Sequence, residues 1–287
     1  MNVKSKNYEK ALKLIVFIIF MLYALSLLFP FVWMLLNSFK ERSDFISNIW
    51  GLPVNFQFNN YYDALVGFQI QSGSNKYNIF EMFLNSVFVT AVGTFLSIGF
   101  STCSAYVVSK YKFPGSKLLY AISIFTLIFP VVGTLPSQYR IMQTLGLQNS
   151  HLGLFILYSG AFGFNFFMMH GFFKSISWTY AEAAYIDGAT DFQIFTKIMV
   201  PLAKPSITAL AVIQAIALWN DYVTPSIYLR KFPTLAVGLN QIVAEMQGKG
   251  AYPEMFAAMI IALLPILILF IIFQKQIMDN MQVGGIK

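Results

Sequence analysis

The chain has 287 residues, 57% of them hydrophobic and only 11% charged. That is far from the roughly 25% charged residues of soluble domains and excludes an ordinary water-soluble fold. Aromatic residues reach 17% and the net charge is +7, but there is a single cysteine, which excludes an internal disulfide or a thiolate metal cage.

Six runs approach the roughly 20 mostly apolar residues that a bilayer-crossing helix needs: Leu14–Leu36, Met82–Val108, Leu118–Leu135, Leu152–Phe173, Ser206–Trp219 extended to Ile227, and Met255–Phe273. Lipid offers the backbone no hydrogen-bond partners, so each run is predicted to be a helix. The first exceeds the ~7–15 apolar residues of a secretory signal and is followed by no small-x-small cleavage site, so it reads as an uncleaved span. The segment Asn37–Glu81 is the longest non-spanning piece. Pro53, Asn55, Asn59, Asn60 and Gly73-Ser74-Asn75 mark turns in it, and a helix near Tyr61–Val66 is left open.

Along the second run Gly93, Ser97, Ser101, Ala105 and Ser109 recur every fourth residue. Such a ladder lets helix backbones approach closely, either within the chain or against a second membrane subunit. Cys103 in the same run is predicted to be a small packing residue. Pro130 in the third run and Pro265 in the sixth can kink their helices. With the N-terminus inside, twelve of the 19 Lys and Arg fall on inner segments and cluster at span ends, as the positive-inside rule requires. This bias and anionic headgroups account for the net charge without nucleic acid.

The polar island Trp178–Pro205 interrupts the apolar runs. Thr179 with Glu182, and Thr190 with Gln193, have capping-box spacing, and Gly188 suits the left-handed position that ends a helix. Ile194, Phe195, Ile198 and Met199 continue with helical spacing, and Pro201 is expected to stop the run. Glu182 reads either as a helix cap or as an anion offered to a partner. In the fifth run Asp221 is the one acidic residue in a predicted span, which marks it as a functional candidate. Beside it stand Trp219, Asn220 and Tyr222, the aromatic faces and hydrogen-bonding groups a sugar ring would use. The alternative is a hydrated helix end with interfacial anchors. Gly248, Lys249, Gly250 and Ala251 form a flexible, hairpin-like tip before the last run. Arg140 and His151 are assigned structural roles.

One membrane domain, residues 1–287, carries no linker, low-complexity tract or repeat. The two histidines, His151 and His170, sit in no metalloprotease motif, and no phosphate-binding loop is present, so the chain is not read as an enzyme.

Several motifs in fixed order carry a family resemblance: Phe113-Pro114-Gly115, Glu182-Ala183-Ala184, Ile186-Asp187-Gly188-Ala189, Ile198-x-x-Pro201-Leu202, Trp219-Asn220-Asp221-Tyr222, and the terminal Val283-Gly284-Gly285-Ile286-Lys287. From about Phe113 to the C-terminus the chain resembles permease subunits of bacterial ATP-binding-cassette carbohydrate importers, in particular the smaller permease of maltose-type uptake. The resemblance implies an all-α integral membrane protein of the bacterial cytoplasmic membrane. It would have six transmembrane helices, both termini cytoplasmic, and a cytoplasmic helix-turn-helix coupling loop at about 178–205. Glu182, Ala183, Ala184, Asp187, Gly188 and Pro201 would couple to the ATPase, and Gly284, Gly285 and Lys287 would enter the ATPase interface. Gly248, Lys249 and Gly250 would meet the binding protein. Trp219, Asn220, Asp221 and Tyr222 would line the path, although in the maltose-like family the sugar contacts mainly the partner permease.

The implied partners are a second permease in a heterodimer, two copies of a cytoplasmic ATPase and an extracytoplasmic sugar-binding protein. The chain itself would bind no cofactor, ATP and Mg2+ being used by the ATPase. Alternatives are a permease for a non-sugar solute and a self-sufficient secondary transporter. Against the latter, the spans hold almost no ionisable residues for ion coupling and show no inverted repeat.

Overall fold

A computed structural model describes residues 3–128 and 134–283. The chain folds as helices α1 (Val3–Ser38), α2 (Arg42–Ser47) and α3 (Asn59–Tyr62), the hairpin strands β1 (Gln69–Ser72) and β2 (Asn75–Asn78), and then helices α4 (Ile79–Lys110), α5 (Ser116–Ile128), α6 (Thr134–Thr144), α7 (His151–Tyr158), α8 (Phe164–Ser175), α9 (Thr179–Ile186), α10 (Asp191–Ile194), α11 (Val200–Asn220), α12 (Val223–Tyr228), α13 (Leu235–Gly248) and α14 (Tyr252–Val283). Two π turns, Asp63–Gly67 and Phe195–Met199, extend α3 and α10. These form two compact units, one of Met1–Phe68 with Gln241–Ile261 and the other of Gln69–Asn240 with Ala262–Lys287.

Among the described residues four helices are long and apolar enough to cross a membrane: Glu9–Ser38, Ile79–Lys110, Asp191–Asn220 and Tyr252–Gln276. The run Leu152–Phe173, expected as one span, is two helices. Its break falls at 159–163, where Gly163 takes φ +137°, a conformation open essentially to glycine. The third run holds the apolar α5, and Pro130 lies outside the described residues. The fifth begins earlier than expected and ends at Asn220, with Ile227 in the separate α12.

In the first unit, Trp33 of α1 meets Phe256 of α14 edge to face, with ring centroids 5.2 Å apart, and Phe45 of α2 packs on the same Phe256. The buried carboxylate of Glu254 accepts from Arg42, Nε to Oε1, at 2.6 Å. The undecided region around Tyr61–Val66 is α3 and its π turn. At the start of the second unit the predicted turn at Gly73-Ser74 joins β1 to β2, which pair antiparallel with Ser72 opposite Asn75. Gly73 at φ +64° supplies the first central residue of that two-residue loop.

In the second unit, a reciprocal capping box starts α4: Asn78 Oδ1 accepts from the Glu81 amide and Glu81 Oε2 from the Asn78 amide, both at 2.9 Å. The ladder on α4 faces inward. A side chain at Gly93 would come within 2.9 Å of Leu218 and 3.1 Å of Tyr158, Ser101 donates to the Gly160 carbonyl at 3.3 Å, and Ala105 is fully buried. Small residues here let α8 and α11 close onto α4. Cys103, expected in that packing, is instead exposed, because it lies on the helix face opposite Ser101 and Ala105.

Candidate functional site

In the segment 178–205, α9 turns at Gly188 into the short α10, which runs on through the π turn into α11. Its first capping box does not form. Trp178, the residue before the helix, takes a helical φ of −70° and offers no side-chain cap, so Thr179 is already the first helical residue. Glu182 lies in the first turn of α9 and is exposed, where a carboxylate is favoured by the helix N-terminus. The end of α9 is a Schellman turn. Gly188 at φ +79° lets the Ala189 amide reach the Ala184 carbonyl at 2.9 Å and its own amide reach Tyr185 O at 3.0 Å. The second box forms: Thr190 N donates to Gln193 Oε1 at 2.9 Å, and Gln193 N donates to Thr190 Oγ1.

Pro201 does not stop the run. In the π turn before it the Val200 amide reaches back five residues to Phe195 O. The widened turn rearranges the hydrogen-bond ladder where proline lacks a donor, and the helix continues from Asp191 to Asn220.

Ala181, Ala184, Ile194, Met199 and Ala203 are buried in one cluster with Ala105 and Tyr106 of α4 and Phe166, Met169 and Phe173 of α8. Ala184, expected on the partner-facing surface, therefore belongs to the chain's own core. Ala183, Asp187, Gly188 and Pro201 remain exposed, as do the large apolar side chains of Tyr180, Ile186 and Phe192. Ile186 is 87% exposed.

A second attachment escaped the sequence reading. Asp191 Oδ1 accepts from Tyr111, just past α4, at 2.7 Å and also from Tyr185 of α9. Trp178 packs edge-on to Tyr111 with centroids 5.8 Å apart, and Lys110 Nζ donates to the Ile176 carbonyl at 2.5 Å. Burial first, and then hydrogen bonds to Tyr106, Asp191 and Tyr185, push the Tyr111 phenol above its ordinary value. It therefore remains a donor across the physiological range. No periodicity relates residue 111 to residue 191, so only the fold could reveal this pair.

The run 219–222 is not gathered into one site. Trp219 is buried, donates Nε1 to Ala262 O at 3.1 Å and packs on Phe83. Asn220 is exposed and bonds locally to Ile216 O at 2.9 Å, and Tyr222 is exposed. Asp221 ends α11 rather than lying inside it. Oδ2 accepts from Tyr158 Oη and Oδ1 from the Thr224 amide, each at 3.0 Å, so the carboxylate caps the break before α12.

Gly248–Ala251 is a helix ending, not a hairpin tip. Gly250 at φ +66° closes a Schellman turn in which Ala251 N reaches Met246 O at 2.9 Å, and Lys249 pairs with Glu245. His151 contacts Asn85 Oδ1 through Nε2 at 2.9 Å and packs on Phe232. Gly284, Gly285 and Lys287 lie outside the described residues.

Residues 97–282 match the model of the family described as binding-protein-dependent transport system inner membrane component. Over 92% of its length the chain is 30% identical to the diacetylchitobiose uptake system permease protein NgcG of Streptomyces coelicolor, covering 85% of that protein. It is 29% identical to the galactooligosaccharides transport system permease protein GanQ of Bacillus subtilis, over all of this chain and 99% of the relative. Among solved structures it resembles a bacterial ABC transporter involved in import of the acidic polysaccharide alginate. That likeness has a TM-score of 0.80 and 26% identity, covering 93% of this chain and 97% of the other.

Proposed function

The chain belongs to the family of binding-protein-dependent transport system inner membrane components, and on that premise we propose that it carries oligosaccharides as one of two permeases in an ATP-driven importer. It is a transport subunit and not an enzyme. Its partners in this reading are a second permease, two cytoplasmic ATPase subunits that use ATP and Mg2+, and an extracytoplasmic sugar-binding protein. The oligosaccharide names of NgcG and GanQ support the substrate class. The cation bias supports six crossings with both termini and the 178–205 loop cytoplasmic.

The observation that carries the mechanism is the two-sided character of that loop. Its inner face is locked into the cluster of α4, α8 and α11, while its outer face presents Glu182, Ile186 and Phe192. A block that is stiff, continuous with a long helix and exposed on one side transmits a partner's motion as rigid displacement. ATP-driven closure of the ATPase then tilts α11 directly, and α4 through Tyr111 and Asp191. Directionality arises because the two permease conformations bind the ATPase states with different affinities.

Reversing the charge, Glu182→Lys, is expected to leave membrane insertion intact, abolish oligosaccharide uptake and weaken co-purification of the ATPase. Wild-type uptake by this variant would remove the docking role.

A further inference from the structure

Two hydrophobic clusters of the second unit sit at successive heights along α4. The loop-side cluster joins Ile98, Ala105 and Tyr106 of α4 to Phe166, Met169 and Phe173 of α8 and Leu210 of α11. The far cluster joins Val89 of α4 to Met142 of α6, Leu154 of α7, and Tyr228 and Leu229 at the end of α12. Val89 and Ile98 lie about 13 Å apart along the helix axis. Among the described residues α4 is the one helix that contributes to both clusters. Two other paths between the clusters are broken: α7 gives way to α8 at 159–163, and α11 to α12 at Asp221 and Tyr222.

Polar contacts, not apolar packing, fasten these breaks. Tyr158, the last residue of α7, donates to the Asp221 carboxylate that ends α11. Asn165, at the start of α8, donates Nδ2 to Gln214 Oε1 of α11 at 2.8 Å and to Ser97 Oγ of α4 at 3.4 Å. Inside the first break the carbonyls of Gly160 and Ala161 accept from Ser101 and Ser104 of α4 at 3.3 and 2.7 Å. Ser104 Oγ also lies 2.9 Å from Phe100 O and 3.1 Å from Ser101 O of its own helix. Its one hydroxyl proton thus has acceptors on both sides, and letting go of Ala161 leaves the donor satisfied.

Interdigitated apolar clusters resist deformation, whereas hydrogen bonds between membrane helices are individually weak and can exchange partners. A displacement delivered through the 178–205 segment therefore yields first at the breaks. We propose that the loop-side cluster moves as one rigid block against the far cluster. The block articulates at 159–163 and at 221–222, and Ser104 is the switchable fastener of the first joint. α4 bends between Val89 and Ile98, a stretch holding Gly93 and Ser97, and Gly/Ser pairs are sites where helices kink. The driver of this motion rests on the importer reading above.

Cys103→Ser makes the chain cysteine-free, and two pairs of introduced cysteines then carry nitroxide labels in the assembled importer. Met168→Cys on α8 with Leu202→Cys on α11 reports within the block. Leu152→Cys on α7 with Leu202→Cys reports across the joint. Trapping the ATPase with a non-hydrolysable ATP analogue is expected to shift the second distance by about 2 Å or more and leave the first unchanged. Equal shifts in both pairs would overturn the rigid block. No shift in either pair, with ATP-driven uptake retained by the labelled importer, would overturn the articulation. Absence of ATP-driven uptake in the unlabelled importer would instead remove the importer reading, and the driver with it. Ser104→Ala should broaden the distance distribution across the joint and leave that within the block narrow, and Ser104→Thr should restore it. Unchanged distributions in Ser104→Ala would overturn the fastener.

Discussion

Two stretches of this chain carry chemistry by composition, the loop 178–205 and the run 219–222, and they fold to opposite effect. In the first, residues spread over 28 positions of sequence converge on one packed block with a single exposed face. In the second, four adjacent residues part company: Trp219 goes inward to Ala262, Asp221 caps a helix break, and Asn220 and Tyr222 face outward. Adjacency in sequence is therefore a weak guide to a site where a helix ends, because the chain turns within those same residues. Caps and spacing within a helix bind neighbours to a common geometry, and that geometry survives folding.

Overfilling the loop's inner face breaks the comparison most strongly. Ala181 is fully buried in the cluster, so Ala181→Leu is expected to cost about 1–3 kcal/mol by overpacking. Thermal unfolding of the purified importer would read this as a lowered Tm, together with lost uptake. Ala183→Leu on the exposed side is expected to leave Tm unchanged and weaken ATPase retention. Equal Tm losses at both positions would erase the distinction between inner and outer faces.

Next in size is Gly188→Ala, which places a side chain at φ +79° and costs about 1–2 kcal/mol. Uptake per ATP hydrolysed should fall as the Schellman turn loosens. Thr190→Ala removes a formed cap and is worth about 1 kcal/mol, whereas Thr179→Ala, which removes none, should be near neutral. Matched losses at the two threonines in a denaturation series would contradict the cap assignments.

The smallest effect is expected at Asp221→Asn. The amide keeps an oxygen for the Thr224 amide or the Tyr158 hydroxyl, so folding and uptake kinetics should stay close to wild type. A changed KM for the transported oligosaccharide, with assembly intact, would return Asp221 to the translocation path.

Much of the loop 178–205 was legible in the sequence because Gly188, Thr190 and Gln193 act through bonds that span at most a few residues. Thr179 failed as a cap because Trp178 already takes the helical conformation, which removes the extended backbone a capping box requires. Pro201 failed as a stop because the π turn at Phe195–Met199 absorbs it, a rearrangement not encoded at proline itself. Cys103 was misplaced because membership of an apolar run says nothing about which face of the helix is covered.

Composition alone determined that this is a helical membrane chain, and motif order placed it among importer permeases, because bilayer thickness and local hydrogen bonding act directly on runs of residues. Only the tertiary structure decided that Ala184 faces inward while Ala183 faces out, that Tyr111 and Asp191 join the loop to α4, and that the fourth apolar run is split. Those outcomes depend on which distant backbone fills the space beside each residue, and no local spacing carries that information.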